Sequence, residues 1–229
     1  MNDITKKLAE VTLKISRAAS RVGRDPEDVT LVAVSKRHST DAIRQAYAAG
    51  QRHFGENYAQ ELRDKAVELE DLQDIHWHFI GHLQRNKAKY VAPNVALLET
   101  VDSVRLVENL DRQADRFGRR IACLVQVNVG DEEQKSGCAP DELETILQAV
   151  EQTENLRSKG LMTIPPWDLE SEETRKYFQA LAKLRDAHGG STRLNHLSMG
   201  MSHDFEVAIE EGATLVRVGT AIFGPRNYC

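Results

Sequence analysis

The feature that most constrains this chain is an alternation: eight short β-rich runs separated by longer helical stretches. The runs are "VTLVAVS" (29–35), "RHFGEN" (52–57), "IHWHFIG" (75–81), "ALLETVD" (96–102), "IACLVQVNV" (121–129), "RSKGLMTI" (157–164), "RLNHLSM" (193–199) and "TLVRVGT" (214–220). Between them lie helical patterns such as "STDAIRQAYAAG", "YAQELRDKAVELEDL", "SVRLVENLDRQADRFG" and "SEETRKYFQALAKLRDAH". Their ends carry the expected punctuation: Ser39-Thr40 and Pro140-Asp141 at starts, Gly50, Gly118 and Gly212 at ends. Strands that alternate with helices pair in parallel. Eight of them in one chain predict an α/β fold, a closed (β/α)8 barrel (a TIM barrel) forming a single domain over residues 1–229. One extra helix precedes it, with Leu8, Val11, Leu13 and Ile15 read as its apolar face. An open doubly wound sheet is the alternative, but no Gly-x-Gly-x-x-Gly turn supports it.

The chain of 229 residues is 41% hydrophobic and 28% charged, enough for a sizeable core under a solvated surface. No apolar run approaches the roughly 18 residues of a membrane span, and the N-terminus lacks the apolar centre of a signal peptide. A cytoplasmic protein is expected. Cys123, Cys138 and Cys229 form no Cys-x-x-Cys pair, so neither a disulfide framework nor a thiolate zinc site is supported. Net charge is −5 with no contiguous basic stretch, which argues against a dedicated nucleic-acid binder.

In such a barrel the chemistry sits at the C-terminal strand ends. Alternation puts Val32, Val34 and Lys36 on one face, so the two valines suit the interior and Lys36 projects from the mouth. Two readings stay open for it. It is a solvated terminal lysine, or an amine held in a pocket where partial desolvation frees its nucleophilic form for Schiff-base chemistry with carbonyl compounds. After the seventh and eighth strands come "SMGMSHDF" and "RVGTAIFG". Ser198, Gly200, Ser202, Gly219 and Thr220 offer hydroxyls and small-residue turns where phosphate sites are often built. Arg217, between Val216 and Val218, needs an anion, either a nearby Glu or a ligand. A lysine able to form an imine and a phosphate cup across the same mouth suit pyridoxal phosphate, with aldehyde and phosphate on opposite walls.

Seven segments then carry a resemblance: "AVSK" (33–36), "FGENY" (54–58), "WHFIGHLQRNK" (77–87), "KSG" (135–137), "GLMTI" (160–164), "LSMGMSHDFEVAI" (197–209) and "VRVGTAIFGPRNY" (216–228). In this order they resemble the pyridoxal phosphate homeostasis proteins, relatives of the alanine racemase barrel in the fold-type III group. His82 stands where relatives usually have Pro. The resemblance implies that Lys36 holds pyridoxal 5′-phosphate as a Schiff base, and that Ser202, Arg217, Gly219 and Thr220 form the phosphate side. It places Asn57 and His78 at the mouth near the cofactor. It implies storage, buffering or delivery of the cofactor to apoenzymes that need it, without robust catalysis. Alanine racemase adds a second, mostly β domain that supplies a tyrosine base, and this chain has no room for one. Racemisation needs a base on each face of the α-carbon, and Lys36 serves one, so weak racemase or lyase activity is the alternative. A monomer is expected.

Other readings rank lower. His76 and His78 form an H-x-H pair that suits a metal hydrolase only with a further histidine and acid, which are not clearly placed. A protein that binds partners and no cofactor is the second rival, told apart by the lack of a coloured adduct. Trp77 and Phe79 are expected to pack under helices, Cys123 in the core, Trp167 in a loop near the mouth, and Lys135 as a solvated second lysine there.

Overall fold

The computed structural model describes residues 3–130, 136–166 and 168–225. Lys135, Trp167 and Cys229 lie outside them. The strands are β1 (Thr30–Val34), β2 (His53–Glu56), β3 (His76–Phe79), β4 (Val95–Val101), β5 (Ile121–Gln126), β6 (Leu156–Met162), β7 (His196–Ser198) and β8 (Leu215–Val218). They close in sequence order into a parallel barrel, the ring sealed where Val32 of β1 registers with Arg217 of β8. All eight expected strands are present.

The helices are α1 (Asp3–Arg21), α2 (Thr40–Ala48), α3 (Ala59–Glu68), the short α4 (Ala88–Val91), α5 (Val104–Arg116), α6 (Leu143–Glu151) and α7 (Arg175–Ala187), followed by the short α8 (Gly190–Arg193), α9 (Phe205–Glu210) and α10 (Thr220–Phe223). The Ser39 hydroxyl caps α2, and Gly50, Gly118 and Gly212 take positive φ where helices end. The extra helix α1 buries Leu8, Val11, Ile15, Ala18 and Ala19. Leu13 is a correction: it falls between those rows and is half exposed, because a helical face repeats at three and four residues, not two.

The expected seventh strand also shortens. Gly189 and Gly190 both adopt positive φ and set up the turn of α8, so the strand starts at His196 rather than at Arg193.

Two apolar layers result. The larger lies between strands and helices and includes Phe54, Trp77, Phe79, Cys123 and Phe178. A fully buried large side chain such as Phe54, Phe79 or Phe178 contributes about 2 kcal/mol. The smaller fills the barrel interior with Val32, Leu97, Leu124, Met162 and Leu215. Polar residues enter the interior beside that plug, and these carry the site.

Candidate functional site

A cavity of about 460 Å³ opens at the C-terminal mouth, lined by Val34, Lys36, Asn57, Ile80, Ile164, Met201, Ser202, His203, Arg217, Gly219 and Thr220. Its size falls within the roughly 300–1,000 Å³ usual for small-molecule sites. Of the seven site residues expected from the sequence, six line it: Lys36, Asn57, Ser202, Arg217, Gly219 and Thr220.

Each is positioned by its element. Lys36 follows β1 in a tight turn, closed by the His38 N–H on Ser35 O at 3.0 Å, and is partly buried. Ser202 follows β7, while Gly219 and Thr220 follow β8. The Gly219 N–H and the Thr220 hydroxyl approach Ser202 Oγ at 3.3 and 3.2 Å, so three polar groups converge on one point. Gly219 is small for a packing reason: a Cβ there would come within 3.2 Å of Val34 O. Gly81 acts likewise across the rim. A Cβ on it would overlap Asn57 O at 2.1 Å, so the loops after β2 and β3 press together and fix Asn57 at the mouth. Asn57 Oδ1 is buried and has no hydrogen-bond partner.

Three expectations need correction. The hydroxyl cup and the lysine do not face each other across the mouth; β8 is the hydrogen-bonded neighbour of β1, and the cup stands beside Lys36. Ser198 does not join the cup, since it ends β7 pointing into the barrel, and Gly200 is held tight against Phe205 and Ala208. His78 is off the cavity lining. Ile80, two residues on and just past the end of β3, takes the mouth position, and His78 sits one layer beneath.

That lower layer is a connected polar chain. His53 Nδ1 meets His78 Nε2 at 3.0 Å, and His78 Nδ1 meets Glu99 Oε1 at 2.6 Å. The Ser198 hydroxyl donates to Glu99 Oε2 at 2.5 Å, and Arg217 donates to Ser198 Oγ at 2.5 Å and to Thr163 O at 2.8 Å. The Glu99 carboxylate accepts from His78 Nδ1, and the other ring nitrogen of His78 is left to meet His53. Burial opposes the charge on Glu99, yet His78, Arg217 and Ser198 together hold its carboxyl below the ordinary range. Burial lowers Arg217, and Glu99 works against that. Burial, with His78 and His76 nearby, pushes His53 down to about 4. Arg217 therefore balances its charge on Glu99 through Ser198 while facing the cavity, which joins both readings of it.

A second buried cluster backs the Lys36 turn. Lys65 Nζ donates to Ser35 O at 2.7 Å, Glu56 Oε1 at 2.8 Å and Glu61 Oε1 at 2.7 Å. Burial pushes the Glu56 carboxyl up to about 7 against the pull of Lys65, and its Oε2 has no partner. Between its ordinary value of 4.5 and about 7, the folded state keeps a proton that the unfolded chain has released. The stability this group contributes is complete below the ordinary value and is lost as pH rises through about 7. Urea titrations of wild type and Glu56→Gln should show the wild type losing on the order of 2 kcal/mol relative to the variant across that window. A difference independent of pH would contradict this.

Glu99, Thr163, Glu56 and Lys65 were missed from the sequence, which offers His203 only as a metal ligand. Glu99 carried a signal, an acid inside an apolar strand like the Arg217 cation it balances; Lys65 carried none. Trp77 and Phe79 pack under the helices and Cys123 is buried in the core, as expected. His82 is exposed on the rim, its ring 3.4 Å from Asp102. No described helix is long and apolar enough to cross a membrane.

The family described as "Alanine racemase, N-terminal domain" matches residues 6–227. A pyridoxal phosphate homeostasis protein of Pseudomonas aeruginosa is 44% identical over 229 residues, covering 100% of this chain and 98% of its own length. The protein of that name from Escherichia coli K12 is 45% identical over 234 residues, covering 100% of this chain and 99% of its own. The structure of PipY from Synechococcus elongatus, with PLP bound, matches with a TM-score of 0.82 at 40% identity, over 96% of this chain and 100% of that one.

Proposed function

Because this chain belongs to the pyridoxal phosphate homeostasis proteins, within the alanine racemase N-terminal-domain family, we propose that it binds pyridoxal 5′-phosphate as a Schiff base on Lys36. Its task is then to store, buffer or deliver the cofactor to enzymes that need it, without robust catalysis of its own. One observation carries the reading: a single cavity holds a primary amine beside three converging polar groups.

The residues suit the molecule chemically. When bound, the cofactor supplies an electrophilic aldehyde and an electron-accepting ring. Its aldehyde and its phosphate-bearing arm sit on adjacent ring carbons, so a lysine and a hydroxyl cup on neighbouring strands match it better than the opposed arrangement expected at first. Lys36 would hold the cofactor through its side-chain amine, whose neutral form is the nucleophile that condensation with a carbonyl group, with loss of water, requires. Ser202, Gly219 and Thr220 supply donors for phosphate oxygens. Asn57 Oδ1 offers a buried acceptor for a bound molecule's hydroxyl. Arg217, oriented by Ser198 and Thr163, brings a fixed cation to the cavity wall.

Absence of robust catalysis is supported by the naming of the close relatives as homeostasis proteins. His203 on the lining favours the second reading, weak racemase or lyase action, since its ring nitrogen can carry a proton. End-point chiral assays with free amino acids distinguish the two; a racemase-level rate lost in Lys36→Ala would overturn the first.

The cup is tested by its selectivity. Ser202→Ala combined with Thr220→Val should weaken pyridoxal 5′-phosphate binding about tenfold, about 1.4 kcal/mol, while leaving binding of unphosphorylated pyridoxal unchanged. Equal losses for both compounds would remove the phosphate role from these hydroxyls.

A further inference from the structure

The amine of Lys36 is aimed by its backbone, and the backbone around it is unusual. Arg37, the next residue, has φ of 62°, and among the described residues no other non-glycine has a positive φ. Such a conformation disfavours L-residues and persists only where the surroundings over-determine it. Here they do. On one side of Lys36, the Ser35 N–H donates to Gly55 O at 3.0 Å, the Ser35 hydroxyl donates to Glu56 Oε1 at 2.6 Å, and Ser35 O accepts from Lys65 Nζ at 2.7 Å. On the other side, the Arg37 N–H donates to Glu61 Oε1 at 2.6 Å.

All of these holds except the strand bond to Gly55 meet at one atom. The three N–H groups of the Lys65 ammonium match three acceptors: Ser35 O, Glu56 Oε1 and Glu61 Oε1. Lys65 is 6% exposed and Glu56 fully buried. Buried ion pairs of this kind are a poor means of adding stability, and their best-attested use is to fix one geometry.

We infer that Lys65, acting through Glu56 and Glu61, is the positioning residue for Lys36: from behind the turn it clamps the peptide units on both sides of that lysine and so directs the amine into the cavity. It does not line the cavity. The inference rests on the reading of Lys36 as the Schiff-base residue.

The test separates aiming from general damage. Two probes are titrated against wild type, Lys65→Met and Glu61→Ala: pyridoxal 5′-phosphate, which can condense with the amine, and pyridoxine 5′-phosphate, which keeps ring and phosphate arm but lacks the aldehyde. Both variants should form the covalent adduct roughly tenfold more slowly, with affinity for the aldehyde-free probe held within about twofold of wild type. Should Lys65→Met not fold, Glu61→Ala, altered at a half-buried position, decides alone. Adduct formation at the wild-type rate in a folded variant overturns the inference, as does an equal loss of affinity for both probes. Absence of any adduct in the wild type overturns the Schiff-base reading itself, and this inference with it.

Discussion

Lys36→Ala is expected to bind pyridoxal 5′-phosphate without ever forming the violet-absorbing, borohydride-sensitive adduct. The amine is the only part of the condensation that the protein supplies, so its removal takes away the whole covalent contribution and leaves a cup of hydroxyls and one N–H. Affinity should fall at least a hundredfold, about 3 kcal/mol. The remaining binding should still depend on the phosphate group, because Ser202, Gly219 and Thr220 stand on other strand ends and keep their mutual contacts. The barrel should stay intact, since Lys36 lies beyond the end of β1 and outside both apolar layers. A variant that keeps the absorbance would move the covalent site to another lysine.

The second large effect is on stability. Glu99 is completely buried and takes hydrogen bonds from His78 and Ser198, and through Ser198 it answers the charge of Arg217. Glu99→Gln keeps the shape and removes the anion. Arg217, 4% exposed, then keeps its charge without its main counter-charge; Asp204, the other acid acting on it, is pushed toward its neutral form by burial. The amide's two hydrogens must also face either His78 or Ser198, both already donating. Breaking a buried pair in this way costs about 3–5 kcal/mol, which for a chain of 229 residues lowers Tm by roughly 10 °C. Thermal melts at pH 7 measure it, and a loss below about 1 kcal/mol would show that the chain of contacts contributes little.

The barrel was legible because its determinants are local. Buried parallel strands read as apolar runs, and the helices between them begin and end on residues such as Ser39, Pro140 and Gly212 whose backbone preferences act over a few positions. The mouth was partly legible for the same reason: Lys36, Ser202, Gly219 and Thr220 each follow a strand, and counting strands puts them at one end. What escaped depends on neighbours far away in the chain. Lys65 sits on an amphipathic helix and reads as a surface charge until Glu56, from the preceding strand, is seen against it. Alternation told which way His78 points but not its depth, which is set by Ile80 following β3 and taking the place at the mouth. The placing of cup and amine on adjacent strands follows from closure, because β1 and β8 become neighbours only when the ring is complete. Glu99 could have been found: an apolar strand with one buried cation, Arg217, calls for a buried anion, and "ALLETVD" holds one.

The most direct test is to incubate the protein with one equivalent of pyridoxal 5′-phosphate, reduce it with sodium borohydride, digest it and map the label by mass spectrometry. One reduced phosphopyridoxyl group is expected, on the peptide carrying Lys36. A label on a different lysine with Lys36 unmodified, or no label at all, contradicts it.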